Sequence, residues 1–243
     1  MSSQKNTSNV LTRIGAVTFL DVLGWKGIWQ RKKDAIQDLQ SLARLIDQIA
    51  QASSRGKGGG MPSSDIAPVT RVLIVSDTIV ISTDANPTNA QDALELHGLL
   101  CERAIPESIE KGIPVRGATS FGEFLIDDQE NIFVGKAIDE AASWHETGEW
   151  IGVFMSPSAA YSFDPSKSKV WTVCNPPLKN GLKLNTYAVQ WFHPDLNIQD
   201  DLLVLKRHFS LMSPIVPEFV TKFQNTIEFV EKIRNVIDTG SKL

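Results

Sequence analysis

Two aspartates stand where apolar chain would be expected to continue. Asp21 closes AVTFLDVLGW, residues 16–25, and Asp77 splits PVTRVLIVSDTIVIST, residues 68–83. An ionised carboxylate in an apolar setting must find a cation or hydrogen-bond donors, or take up a proton. If the two strands are neighbours, both carboxylates reach one edge of a sheet. They would then repel and share a proton unless a divalent cation that prefers oxygen ligands, Mg²⁺ or Mn²⁺, lay between them. Two such ions activate an attacking hydroxyl and neutralise a leaving phosphate. The VLGWKG turn after Asp21 leads toward a helix, which makes the backbone of Val22, Leu23 and Gly24 a candidate to face a triphosphate. The same spacing also fits a helix cap at Asp21 and an ordinary turn at Asp77, and it leaves both readings open.

The surrounding pattern supplies the elements that must position these residues. Arg13 to Leu23 is apolar and β-branched, a central strand ended by Gly24. From Lys32 to Ala52, residues Ile36, Leu39, Leu42, Leu45, Ile46 and Ile49 recur at helical spacing. SSRGKGGGMPSS, residues 53–64, has the composition of a mobile loop, extending to 65. The Asp77 segment predicts two antiparallel strands hinged at Ser76 and Asp77. Asn89 to Lys111 predicts a second helix disturbed near Pro106, and a hairpin around DDQE follows. Gly135 to Glu146 reads as a third helix. Strands are expected at Trp150–Met155, Val170–Cys174 and Leu182–Phe192, then a helical C-terminal extension over 199–243, broken at Pro214 and Pro217. The order implies an α+β fold whose sheet carries helices on one face. A single domain is expected over 1–243, with residues 1–12 as a flexible tail.

Composition narrows the function. The 243 residues, 42% hydrophobic, suffice for one substantial core, and a net charge of −4 provides no global positive field for nucleic acid. Cys101 and Cys174 lack metal-ligand spacing and suit a reduced compartment. No apolar run approaches membrane-spanning or signal-peptide form, so a soluble cytoplasmic protein without a membrane partner is expected.

The ordered motifs carry a family resemblance. FLDVLGW resembles the FxDIxGFT motif of class III nucleotide cyclases, and VLIVSDTIVIS resembles their xxxGDxxxA hairpin. IPVRGATSFGEF followed by IFVGKAIDEAASW resembles their xRxGIxxGxx...GxxVNxAARL segment. Together these cover about Ile14 to His145, in order. The resemblance implies a ferredoxin-like cyclase homology domain. It also implies two divalent ions (Mn²⁺ or Mg²⁺) per site on Asp21, Asp77 and the Val22 carbonyl, with Phe19 near the triphosphate. A nucleoside triphosphate would be the substrate, bound between the two subunits of a homodimer.

The departures point to the base. Asp139 replaces the family's transition-state Asn, and Ser143 its Arg; Leu73 and Ile132 occupy the positions that read a purine. Apolar side chains there cannot reward adenine or guanine with hydrogen bonds. Among cyclases, the pattern is similar to the pyrimidine cyclases of the bacterial anti-phage system Pycsar, whose cyclic UMP or cyclic CMP is read by a separate effector. The resemblance therefore implies a uridylate cyclase, with cytidylate or adenylate cyclase, or a nucleotide-binding cyclase fold without turnover, as rivals.

Some residues keep two readings. Arg116 either compensates for the arginine missing at Ser143 or pairs with a sheet-edge carboxylate. Lys136 reaches a phosphate or is simply solvated, and Asp139 contacts ribose, orients Lys136, or complements a helix dipole. His97, His145, His193 and His208 lack zinc-site spacing and are expected to be structural. Gly56 and Gly58–Gly60 lack the GxxxxGK[ST] pattern of a phosphate loop. Trp25 is expected to pack on the neighbouring helix.

Overall fold

The apolar run that ends at Asp21 forms β1 (Thr12–Val22), the central strand of a mixed sheet, in a computed structural model that describes residues 12–56, 69–127, 132–192, 198–212, 215 and 217–239. A four-residue helix, α1 (Ile28–Arg31), and a long one, α2 (Ala35–Gly56), follow. The split segment becomes the hairpin β2 (Thr70–Val75) and β3 (Thr78–Ala85), and α3 (Ala90–Glu110) leads into β4 (Val115–Asp127) and β5 (Ile132–Val134). Then come α4 (Lys136–His145), β6 (Gly152–Met155), α5 (Pro157–Tyr161), β7 (Trp171–Cys174), β8 (Thr186–Val189), α6 (Ile198–Leu211) and α7 (Pro217–Thr239). The strand order is β2-β3-β1-β4-β6-β8-β7, with β5 paired to β4. β1 is antiparallel to both β3 and β4, whereas β4 and β6 run parallel. This is the mixed-sheet α+β fold that the sequence implies.

β1 is apolar on both sides because both sides are covered, which corrects the expectation of helices on one face only. Its even-numbered residues Ala16, Leu20 and Val22 join the core with Leu42 and Ile46 of α2 and Leu94 and Ile105 of α3. Val17 faces the other way into a smaller core with Ala137, Ile138 and Ala141 of α4, against which Phe19 also packs. A strand alternating around one core would have been polar at every second position.

Three further expectations are corrected. Ser53 to Gly56, assigned to the loop, extend α2 by a turn; the remainder of that loop, 57–65, lies outside the described residues, as do the DDQE residues 128–130, His193 and the tail to residue 11. α3 runs unbroken through Pro106, whose ring removes one backbone donor while the helix remains packed against the sheet along its length. Of the late strands, those expected at Trp150–Met155 and Leu182–Phe192 are shorter than the apolar runs, because their flanks pack as irregular core segments at Trp150, Trp191 and Phe192.

His97 shows how α3 is joined to the sheet. It is fully buried, its Nδ1 hydrogen-bonded to Thr18 Oγ1 (2.7 Å) and its Nε2 to Thr83 Oγ1 (2.9 Å). Burial pushes its pKa down to about 3. The unfolded chain therefore binds a proton that the folded chain excludes below about pH 6.5, and stability falls with acidification by about 1.4 kcal/mol per pH unit until the folded-state value is reached. Urea midpoints between pH 7 and pH 4 check this: a His97→Gln variant is expected to lose part of the slope, and an unchanged slope would contradict the assignment.

Candidate active site

The structure brings the Asp77 turn to the end of β1, near enough for the Asp77 charge to act on Asp21. Val75 and Thr78 are register partners, so Ser76 and Asp77 form a two-residue turn, with Ser76 at φ 60°. Asp21 faces Thr78 on one neighbouring strand and Arg116 on the other. The Val22 N–H donates to the Asp77 carbonyl (3.2 Å), and the Leu23 N–H donates to the Pro114 carbonyl (2.8 Å). The turn of one hairpin is thereby tied to the end of β1, and Asp21, Thr78 and Arg116 share one face at that end.

Arg116 takes the ion-pair reading. Its Nε and Nη2 both lie 3.1 Å from Asp21 Oδ2, while Nη1 donates to the carbonyls of Glu146 (3.2 Å) and Gly148 (3.0 Å). Both guanidinium contacts fall on one oxygen of Asp21. Burial pushes the Asp21 carboxyl above its ordinary pKa, against the pull of Arg116 and His145, and the neighbouring Asp77 charge adds to the rise. One arginine does not fully compensate this carboxylate, which is 16% exposed.

The other expected residues are distributed around this pair. Phe19 lies tilted against His145, ring centroids 5.5 Å apart, two residues before Asp21. His145 was expected to be merely structural; it is indeed buried, but its charge also acts on Asp21. Its place in the last turn of α4 gave no sequence signal. Asp139 and Ser143 are exposed on the same helix, and the Ser143 hydroxyl donates to the Asp139 carbonyl (2.6 Å). Lys136 pairs with Glu123 (3.1 Å) in solvent and is not oriented by Asp139. Leu73 packs against the smaller core, whereas Ile132 is exposed on β5. Trp25 packs against the larger core, the expected role.

The turn after Asp21 differs from expectation. It enters only the four-residue α1, and the Gly24 carbonyl, at φ +78°, accepts a hydrogen bond from the Arg31 guanidinium. A Cβ at Gly24 would lie 2.4 Å from Phe219 Cζ, so the turn is also packed from the C-terminal helix. The long helix starts only at Ala35.

Among the described residues, no group of three or more His, Cys, Asp or Glu side chains is placed to hold a metal ion. Two adjacent carboxylates still fit Mg²⁺ or Mn²⁺, because such ions are commonly held by one or two carboxylates plus the substrate's phosphates. The undercompensated Asp21, whose Arg116 contacts fall on Oδ2, is the observation that favours this fit.

No protein-family profile and no curated protein matches the chain. Solved structures do. The catalytic core of a rhodopsin-guanylyl cyclase with converted specificity, in complex with ATPαS, superposes with a TM-score of 0.53 at 20% identity, over 74% of this chain and 98% of that one. The adenylyl cyclase CyaB from P. aeruginosa does so with a TM-score of 0.51 at 12% identity, over 78% of this chain and 100% of that one. The chain has the cyclase homology fold. In both cases nearly the whole neighbour is matched while about a quarter of this chain lies outside the likeness.

The Asp21 environment sets a pH signature. Because its folded-state pKa is raised, the folded chain holds more protons than the unfolded chain just above the ordinary value, and stability falls as pH rises through that window. Asp21→Asn, which mimics the neutral form, is expected to melt a few degrees above the wild type at pH 7 without metal, the gap closing below about pH 4. Calorimetric melting across that range checks it; a variant that melts lower at pH 7 would count against the assignment.

Proposed function

We propose that the chain is a pyrimidine nucleotide cyclase that converts UTP to 3′,5′-cyclic UMP and pyrophosphate as a homodimer. The observation that carries this reading is the Asp77 turn tied to the end of β1 next to the Asp21–Arg116 pair, in a cyclase fold. The apolar Leu73 and Ile132 at the purine-reading positions support a pyrimidine base.

In this reading Asp21, Asp77 and the Val22 carbonyl hold two divalent ions. When bound, these ions lower the pKa of the ribose 3′-hydroxyl and neutralise the departing pyrophosphate. Were a cation held beside Asp21, Arg116 would be released from that pair, and its guanidinium fork would suit a phosphate oxygen. Phe19, braced by His145, walls the triphosphate side, and the backbone from Val22 to Gly24 borders it. Val75 (58% exposed) on the edge strand β2 and Ile132 (44%) and Val134 (49%) on β5, which pairs with β4 outside the main strand order, are exposed apolar surface that a two-fold dimer covers by setting β5 of one protomer against β2 of the other. That arrangement delivers Asp139 and Ser143 across the interface. The product would serve as a messenger in anti-phage defence, read by a separate effector, in keeping with the Pycsar resemblance.

A binding protein without turnover is the rival, favoured by the Ser143 hydroxyl being committed to its own helix. Incubating the chain with each of the four nucleoside triphosphates and Mn²⁺ separates the readings. Cyclic UMP with pyrophosphate is expected; cyclic AMP or GMP as main product refutes the base assignment, and UTP binding without pyrophosphate supports the rival. Asp77→Ala is expected to lower turnover by about a thousand-fold or more with thermal stability retained or raised. A fully active Asp77→Ala would overturn the site.

A further inference from the structure

α7 reaches back across the whole chain to touch both loops that frame the Asp21–Arg116 pair. On one side, Phe219 packs on Gly24 in the turn after Asp21, and the Arg31 guanidinium, bonded to the Gly24 carbonyl, lies 5.8 Å from the centroid of the Phe219 ring. On the other side, Asn225 Nδ2 donates to the Glu149 carbonyl (2.7 Å), and the fully buried Thr226 Oγ1 accepts from the Ile151 N–H (2.8 Å) while donating to the Lys222 carbonyl (2.6 Å). Lys222 Nζ lies 3.7 Å from Glu149 Oε1, and Trp150 meets Phe229 edge-on at 4.2 Å. The same 146–151 segment supplies the Glu146 and Gly148 carbonyls that hold Arg116 Nη1.

We infer that α7 is a clamp, with Phe219, Asn225 and Thr226 as positioning residues that fix the Asp21 turn and the Arg116 cradle relative to one another. The physical reason is rigidity. A helix of 23 residues is a stiff rod, and contacts two turns apart on it connect the two loops, adding to the link that Arg116 makes between Asp21 and the Glu146 and Gly148 carbonyls. A buried hydroxyl bonded to a backbone N–H is costly to lose, so Thr226 anchors the rod. If Arg116 leaves Asp21 for a substrate phosphate, as the proposed reaction would require, the Glu146 and Gly148 carbonyls would keep its guanidinium aimed. The helix thereby becomes the handle by which anything that lifts the C-terminal extension would slow the site. This last step rests on the proposed cyclase activity; the mechanical linkage does not.

Thr226→Val keeps shape and volume but leaves the Ile151 N–H unpaired, whereas Thr226→Ser restores the hydroxyl. Hydrogen exchange of the full-length chain is read at 146–151 and at 22–24, alongside cyclic UMP production. For a Thr226→Val chain that folds, faster exchange in both segments and a kcat reduced about ten-fold or more are expected, with near-normal KM and rescue by Thr226→Ser. Faster exchange confined to 146–151 overturns the clamp, as does wild-type kcat with both segments loosened. Should Thr226→Val not fold, Asn225→Ala takes its place under the same criteria. If the wild type makes no cyclic nucleotide, the functional reading fails, and the exchange pattern alone then decides the linkage.

Discussion

The burial of one carboxylate organises this end of the molecule. Asp21 lies at the end of the central strand of the sheet and cannot leave it without breaking its register with β3 and β4. Burial penalises its charge, a single guanidinium offsets part of that penalty, and the Asp77 turn brings a second negative charge close by. A fold optimised for stability alone would place an apolar residue here. Arg116 is the cation that partners this carboxylate in the structure.

The sequence disclosed the core of this arrangement for a physical reason. Asp21 and Asp77 interrupt segments whose apolar periodicity is otherwise regular, and β-strand pairing with a two-residue turn permits few placements for them. The order of strands and helices up to His145 followed from the same periodicity. What remained hidden depends on long-range packing. That β1 is covered on both faces could have been suspected from its unbroken apolar run, but which helix lies on which side is decided by contacts between Val17 and α4 far along the chain. His145 looked like any helical histidine, because nothing local marks its approach to Asp21.

The C-terminal extension was the least legible part. Its helical pattern was evident, yet Phe219, Asn225 and Thr226 are common residues on an amphipathic helix, and their targets lie far upstream. The cyclase neighbours are matched almost end to end while about a quarter of this chain is left over. α7 is packed against the turn after Asp21 and the segment whose carbonyls hold Arg116.

Electron paramagnetic resonance of free Mn²⁺ during titration with the metal, in the presence of UTP, tests the central claim most directly. The account predicts that the wild-type chain removes Mn²⁺ from solution, and that Asp21→Asn and Asp77→Asn, both still folded, each lose that capacity. Equal Mn²⁺ uptake by the wild type and both variants, or none by the wild type, would contradict it.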